Sequence, residues 1–307
     1  MTYDFRRAAL SAGAVLAAAA IAGCGSSTSK SGATSSHDIS GTAATTHDMQ
    51  NMTHGQSGHS GTSGGHMQGM TALEQGADGT AATAGGLTLK PQATTIAASK
   101  TAQWSLRIVD KHGMPVTRFE RDQTKLLHLI VVRSDFSRYQ HLHPALGGKG
   151  RFTVAMRLPE PGKYRAIADF TTAGKRYALG TTITVPGTAA KRALLAARTT
   201  SAVDGYDVTV QHGAIAAGQG ATLTFGVTRG GKPVSALEPY LGAFGHLVAL
   251  HVPDLAYSHV HPVSSSAKGG KVTFDADFPR AGRYGTFLQF RAGGVVHTAP
   301  FTVVVGA

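Results

Sequence analysis

Cysteine is all but missing: the 307-residue chain holds one, Cys24, so no disulfide can close within it and no CxxC pair can carry redox chemistry. Acids are scarce, 17 Asp and Glu against 29 Lys and Arg, and there is a single Trp. The longest apolar run is shorter than the roughly 20 residues a membrane-spanning helix needs. There is no Gly-x-Ser-x-Gly elbow between a strand and a helix, no phosphate loop and no His-Glu-x-x-His helix, so catalysis is the weakest of the candidate functions.

The N-terminus carries an address. Arg6 and Arg7 precede an apolar stretch over residues 8–20, and the small residues Ala22 and Gly23 precede Cys24. That is the three-part layout of a signal peptide, predicted over residues 1–23. Ile21, Ala22, Gly23 and Cys24 resemble the bacterial lipobox, which implies cleavage before Cys24 and a lipid on its sulfur. A sulfur spent on an anchor leaves no Cys nucleophile and no blue-copper thiolate. The expected location is therefore the extracytoplasmic face of a membrane, held there by the lipid.

Residues 24–86 are rich in Gly, Ser, Thr and Ala and poor in large apolar side chains, a composition that buries too little to offset the entropy of ordering. We expect a flexible tether. Within it lie His37, His47, Met49, Met52, His54, His59, His66, Met67 and Met70. Imidazole suits Cu(II), Zn and Ni, whereas thioether selects Cu(I), so a chain carrying both can gather ligands around either copper state. Such mixed tracts resemble the copper-sequestering segments of exported bacterial copper-resistance proteins, and copper is favoured over zinc because methionine adds little for zinc. Compositional drift in an unconstrained linker is the other reading.

From Leu87 onward the pattern changes to short β-branched runs, at residues 126–132, 181–185, 247–252 and 301–305, separated by Gly and Pro. These predict strands and an all-β sandwich class. The region also repeats itself. Gly113, Pro115 and Val116 match Gly231, Pro233 and Val234, and His128, Tyr139, His141 and His143 match His246, Tyr257, His259 and His261. After a two-residue insertion, Pro159, Gly162, Tyr164 and Phe170 match Pro279, Gly282, Tyr284 and Phe290. Two domains are predicted, 87–187 and 206–307, joined by a linker over 188–205 in which residues 189–198 could form a short helix.

The Gly-x-Tyr step resembles the tyrosine corner of immunoglobulin-like sandwiches, and the units are similar to exported CopC and YtkA/FixH-like domains. The resemblance implies tandem immunoglobulin-like or cupredoxin-like β-sandwiches and copper handling.

The repeated His-x12-His-x-His is the second constellation. Residues two apart on a strand share a face, and a third histidine on a neighbouring strand completes a three-ligand set. The same repetition also suits a structural role, with the imidazoles hydrogen-bonded inside the fold. Where domain 1 has Arg133, Arg138 and Tyr177, domain 2 has His251, Ala256 and His297, so a cation should prefer domain 2. Parity argues against one of these: His251 is an odd number of residues from His246 and faces the other side of an uninterrupted strand. Copper/zinc superoxide dismutase and cupins also mount His-x-His on β folds, but their remaining motif residues are missing.

The leading expectation is a lipid-anchored protein that binds or buffers copper, with zinc as the alternative ion. Its rival is a non-catalytic structural or interaction module. Residues 87–307 carry 26 basic against 12 acidic side chains, so anionic wall polymer or lipid headgroups are candidate partners, while export argues against nucleic acid.

Overall fold

In the computed structural model the described residues are 72–98, 101–190, 196–235, 237–258, 260–263 and 267–307. Cys24, the nine His and Met residues of the predicted tether, and His259 lie outside them. So does half of the predicted linker helix, residues 191–195.

Domain 1 runs through β1 (Leu73–Asp78), β2 (Thr83–Ala84), β3 (Leu87–Pro91), β4 (Thr101–Val109), β5 (His128–Arg133), β6 (Gln140–Leu142), β7 (Ala145–Gly147), β8 (Arg151–Arg157), β9 (Gly162–Thr172) and β10 (Lys175–Val185). They form two facing sheets, ordered β1-β10-β9-β5-β6 and β2-β3-β4-β8-β7. Domain 2 follows with β11 (Thr200–Val203), β12 (Tyr206–Gln211), β13 (Gly220–Arg229), β14 (Lys232–Pro233), β15 (His246–Val252), β16 (Tyr257–Ser258), β17 (Val260–Pro262), β18 (Lys271–Asp277), β19 (Gly282–Ala292) and β20 (Val295–Val305). Its sheets are β11-β12-β13-β18-β17 and β16-β15-β19-β20.

Each domain is an immunoglobulin-like sandwich with its own core. Trp104, Ile108, Phe152 and Leu179 fill the first, and Phe225, Phe274, Phe290 and Phe301 the second. Both tyrosine corners form: Tyr164 donates its hydroxyl hydrogen to the Glu160 carbonyl over 2.9 Å, and Tyr284 does the same to Arg280 over 3.0 Å.

Two boundaries move. β1 and β2 lie inside the segment expected to be tether, because Leu73 and Asp78 pair with β10 and cover an edge that would otherwise be open. β11 likewise occupies part of the expected linker, since residues 200–203 pair with β12.

The feature that positions the site is how the domains meet. Every residue of β5 is buried, and so are all but the last of β15. Alternation sends Leu129 and Val131 into the domain 1 core and Ile130 and Val132 outward, while Leu247 and Ala249 face the domain 2 core and Val248 and Leu250 face outward. The outward sets meet in a third apolar cluster with Phe136, Ile167, Ala178, Leu255, Tyr257 and Phe287. The two sandwiches are therefore docked inner sheet to inner sheet. Tyr139 stacks on Phe287 with ring centroids 4.0 Å apart, and Tyr257, its repeat equivalent, reaches back to donate a 2.7 Å hydrogen bond to Asp169.

Candidate metal centre at the domain seam

β6 pairs with β5 so that Ile130 faces His141. Continuing that antiparallel register by two residues sets His128 opposite His143, with His141 diagonal to it on the same side. The His-x12-His-x-His spacing is thus the spacing of a hairpin that gathers three rings on the face turned toward domain 2. Ring centroids are 5.1 Å apart for His128 and His141, 5.2 Å for His128 and His143, and 4.6 Å for His141 and His143. One nitrogen from each lies within 4.8 Å of the others. Domain 2 adds His246, stacked 4.5 Å from His141 and 5.5 Å from His128.

The hydrogen bonds decide what this cluster can hold. His128 Nε2 lies 3.1 Å from the Asp122 carbonyl, and a carbonyl only accepts, so Nε2 carries hydrogen. His141 Nδ1 lies 2.7 Å from Gln289 Oε1, another acceptor. Once these outward nitrogens donate, a neutral ring has no hydrogen left for the inward one. His128 Nδ1 and His141 Nε2 then face each other as lone pairs across 3.0 Å. That pairing repels unless a cation takes both. His246 follows the same pattern, with its Nδ1 bonded to Gln123 Oε1. His143 Nε2 is buried with no hydrogen-bond partner among the described residues.

A tetrahedral ion with Zn–N near 2.0–2.1 Å needs donors about 3.3 Å apart. The His128–His141 pair is already near that bite. Outward donation to carbonyl oxygens is also how metal-bound imidazoles are usually oriented.

Turning the Gln289 amide over gives a second consistent state, in which its NH2 donates to His141 Nδ1 and His141 Nε2–H donates to His128 Nδ1. The cluster therefore closes either around a cation or as a neutral hydrogen-bonded chain. Both states require uncharged rings. Burial, then the neighbouring His128 and His143, holds His141 well below the usual imidazole range. Burial and the same neighbour bring His143 to about 3.

Beside the cluster runs a buried ionic network. Asp169, opposite His128 on β9, accepts from Arg176 at 3.0 and 2.7 Å, and Arg176 also lies 2.8 Å from Asp122. Burial opposes the Arg176 charge, but the two carboxylates outweigh it and raise its pKa.

Domain 2 does not gain the expected extra ligands. His251 Nδ1 bonds Asp254 at 2.7 Å and its Nε2 faces the Ala281 carbonyl, the place where its equivalent Arg133 holds Pro161. His297 sits against Phe290 and Tyr206 on the core side, with Nδ1 2.8 Å from Asp204 and Nε2 facing the Ala292 carbonyl. Neither joins the cluster, so the ground for expecting a cation to prefer domain 2 falls away, while His259 of the domain 2 triad lies outside the described residues. His261 lies on β17 opposite Asp275. Sequence reasoning missed Gln123, Gln289 and the Asp122 carbonyl. Gln289 had a signal, standing 120 residues from Asp169 and therefore opposite His246 as Asp169 is opposite His128.

Two immunoglobulin-like sandwiches docked through their inner sheets, with histidines clustered at the seam, define a tandem-domain module. The chain belongs to the family described as Domain of unknown function (DUF8832), whose model matches it twice, over residues 82–187 and 201–307. No curated protein matches it. Among solved structures it is similar to the Escherichia coli adhesin FdeC, with 13% identity over 72% of this chain and 64% of that one and a TM-score of 0.25. The Yersinia pseudotuberculosis adhesin InvE gives 15%, 71%, 58% and 0.24, and InvD of the same organism 16%, 72%, 57% and 0.24. The chain thus spans less than two thirds of each. Among the described residues no helix is long and apolar enough to cross a membrane.

Proposed function

We propose that the seam cluster binds one transition-metal ion as Cu(II) or Zn(II), and that the protein is a non-catalytic metal-binding or buffering protein. The observation that carries this reading is the 3.0 Å approach of His128 Nδ1 and His141 Nε2 while both outward nitrogens face carbonyl oxygens. His128, His141 and His143 are the ligands and His246 closes the site from domain 2. Imidazole donors without sulfur suit Cu(II) or Zn(II) better than Cu(I). The His and Met residues between 37 and 70 would collect copper in either state, and a lipid on Cys24 would keep that collection at the extracytoplasmic face of the membrane.

The test is the thermal midpoint of the full chain with Cu(II) or Zn(II). A ligand bound only to the folded state stabilises it by about 2.7 kcal/mol at a hundred times its Kd. The seam site therefore raises the midpoint, and a metal held only by the N-terminal segment does not. A rise that His128→Ala/His141→Ala abolishes supports the site, and an unchanged midpoint at saturating metal refutes it.

The neutral hydrogen-bonded state of the cluster favours a second reading: a structural or interaction module in which the histidines only join the domains. On that reading metal leaves the midpoint where it was, while the same double substitution lowers it.

A further inference from the structure

We propose that the outer sheet of domain 1 carries a binding site for a chain of linked phosphate groups. On three adjacent strands, β3, β4 and β8, Lys90 stands opposite Arg107 and Arg107 opposite Arg151. Directly opposed partners share a face, so three cations stand in one row, an arrangement that destabilises a sheet by itself. Lys149 joins them around a cleft of about 410 Å³ whose lining includes Gln92 and Ser105 and no acid. None of the four cations pairs with a carboxylate among the described residues. Arg107 Nε instead donates to the Lys149 carbonyl over 3.2 Å, which ties the turn to the sheet.

The repeat provides an internal control. The same row in domain 2 is Thr209, Gly226 and Lys271. One cation suffices there, so the sandwich does not require three.

The row also indicates the kind of ligand. It spans two interstrand steps of about 4.8 Å each, whereas charge-assisted hydrogen bonds to one anion are about 2.7–2.9 Å long. Side chains that each stay above their own strand meet successive phosphates of a chain along the row, whereas a single tetrahedral anion would require all three to converge on it. The guanidinium groups of Arg107 and Arg151 offer paired donors that match phosphate oxygens. A concave cleft admits a chain more readily than a flat bilayer face.

The experiment titrates tripolyphosphate, orthophosphate and phosphatidylglycerol vesicles into the metal-stripped full chain and its Lys90→Gln/Arg107→Gln/Arg151→Gln variant. Tripolyphosphate should bind the native chain at least tenfold more tightly than orthophosphate, weaken as salt rises, and lose at least tenfold in the variant. Arg151→Gln alone, at an exposed position, should lose threefold or more. Removing opposed charges should leave the unfolding temperature of the triple variant unchanged or raised. Equal tripolyphosphate binding by native and variant chains overturns the proposal, as does orthophosphate binding as tightly as tripolyphosphate. Variant-sensitive vesicle binding without tripolyphosphate binding also overturns it and assigns the patch to lipid headgroups.

Discussion

The docking of the two sandwiches can be tested without touching a charged group. Gly285 on β19 has no side chain where Phe136 of domain 1 packs, and a Cβ there would lie 2.4 Å from Phe136 Cδ1 and 2.8 Å from Cε1. Phe136 is buried and stands at φ 64°, a conformation few non-glycine residues adopt, so its ring cannot retreat unless the β5–β6 turn moves. Gly285→Ala should therefore cost about 1–3 kcal/mol through overpacking. In a fold of this size each kcal/mol lowers the midpoint by about 2–4 °C. Phe136→Ala should cost about 3–5 kcal/mol through the cavity it leaves. In the double variant the added methyl enters the vacated space, so the pair should cost at least about 1 kcal/mol less than the two single effects together. Urea unfolding of the four proteins measures the coupling. Additivity within about 0.5 kcal/mol would mean that the Phe136 ring does not pack on Gly285.

Three further outcomes follow from the same geometry. The folded-state pKa values of His141 and His143 lie below the ordinary 6.5, that of His143 at about 3, so the unfolded chain binds more protons in the window below pH 6.5. Stability should be fully present above pH 6.5 and fall on acidification through that window, by up to about 1.4 kcal/mol per pH unit for each buried histidine and less for the partly exposed His143. Urea midpoints at pH 7.5, 6.0 and 5.0 that shift no more in the native chain than in His141→Ala/His143→Ala would contradict this. Asp169→Asn strips the carboxylate shared by Arg176 and Tyr257 and should cost about 3–5 kcal/mol, whereas Tyr257→Phe should cost about 1.5–3 kcal/mol; equal losses by thermal unfolding would contradict the network. A chain starting at Leu73 should unfold at a higher temperature than one starting at Leu87, which loses β1 and the Gly79 carbonyl that accepts from Arg165 over 2.8 Å. Identical midpoints would return β1 to the tether.

Much of the fold was legible because its signals are local. The β-branched runs and the Gly-x-Tyr corners each follow from a few neighbouring residues, and the repeat from matching such short stretches along the chain. The docking of the domains was not, although a trace of it is present. A strand with one solvated face alternates, while the runs at 126–132 and 247–252 are apolar on both faces except for His128 and His251, as a strand covered on both faces tends to be. The triad in domain 1 was readable because its spacing is the spacing of one hairpin. His251 and His297 were drawn in by residue type at positions equivalent to Arg133 and Tyr177, and the parity of His251 already argued against it. Gln123 and the Asp122 carbonyl could not be read, since both come from one loop whose position against β5 no local pattern gives, and Gln289 was legible only through its repeat equivalence to Asp169.

The central claim is that the seam histidines hold a metal ion, and the most direct measurement is Cu(II) electron paramagnetic resonance of the full chain. One equivalent should give a signal with nitrogen couplings from several imidazoles, and His143→Ala should change those couplings while leaving the fold intact by circular dichroism. Spectra that are identical in the native chain, His143→Ala and His128→Ala/His141→Ala would place the copper elsewhere and contradict the account.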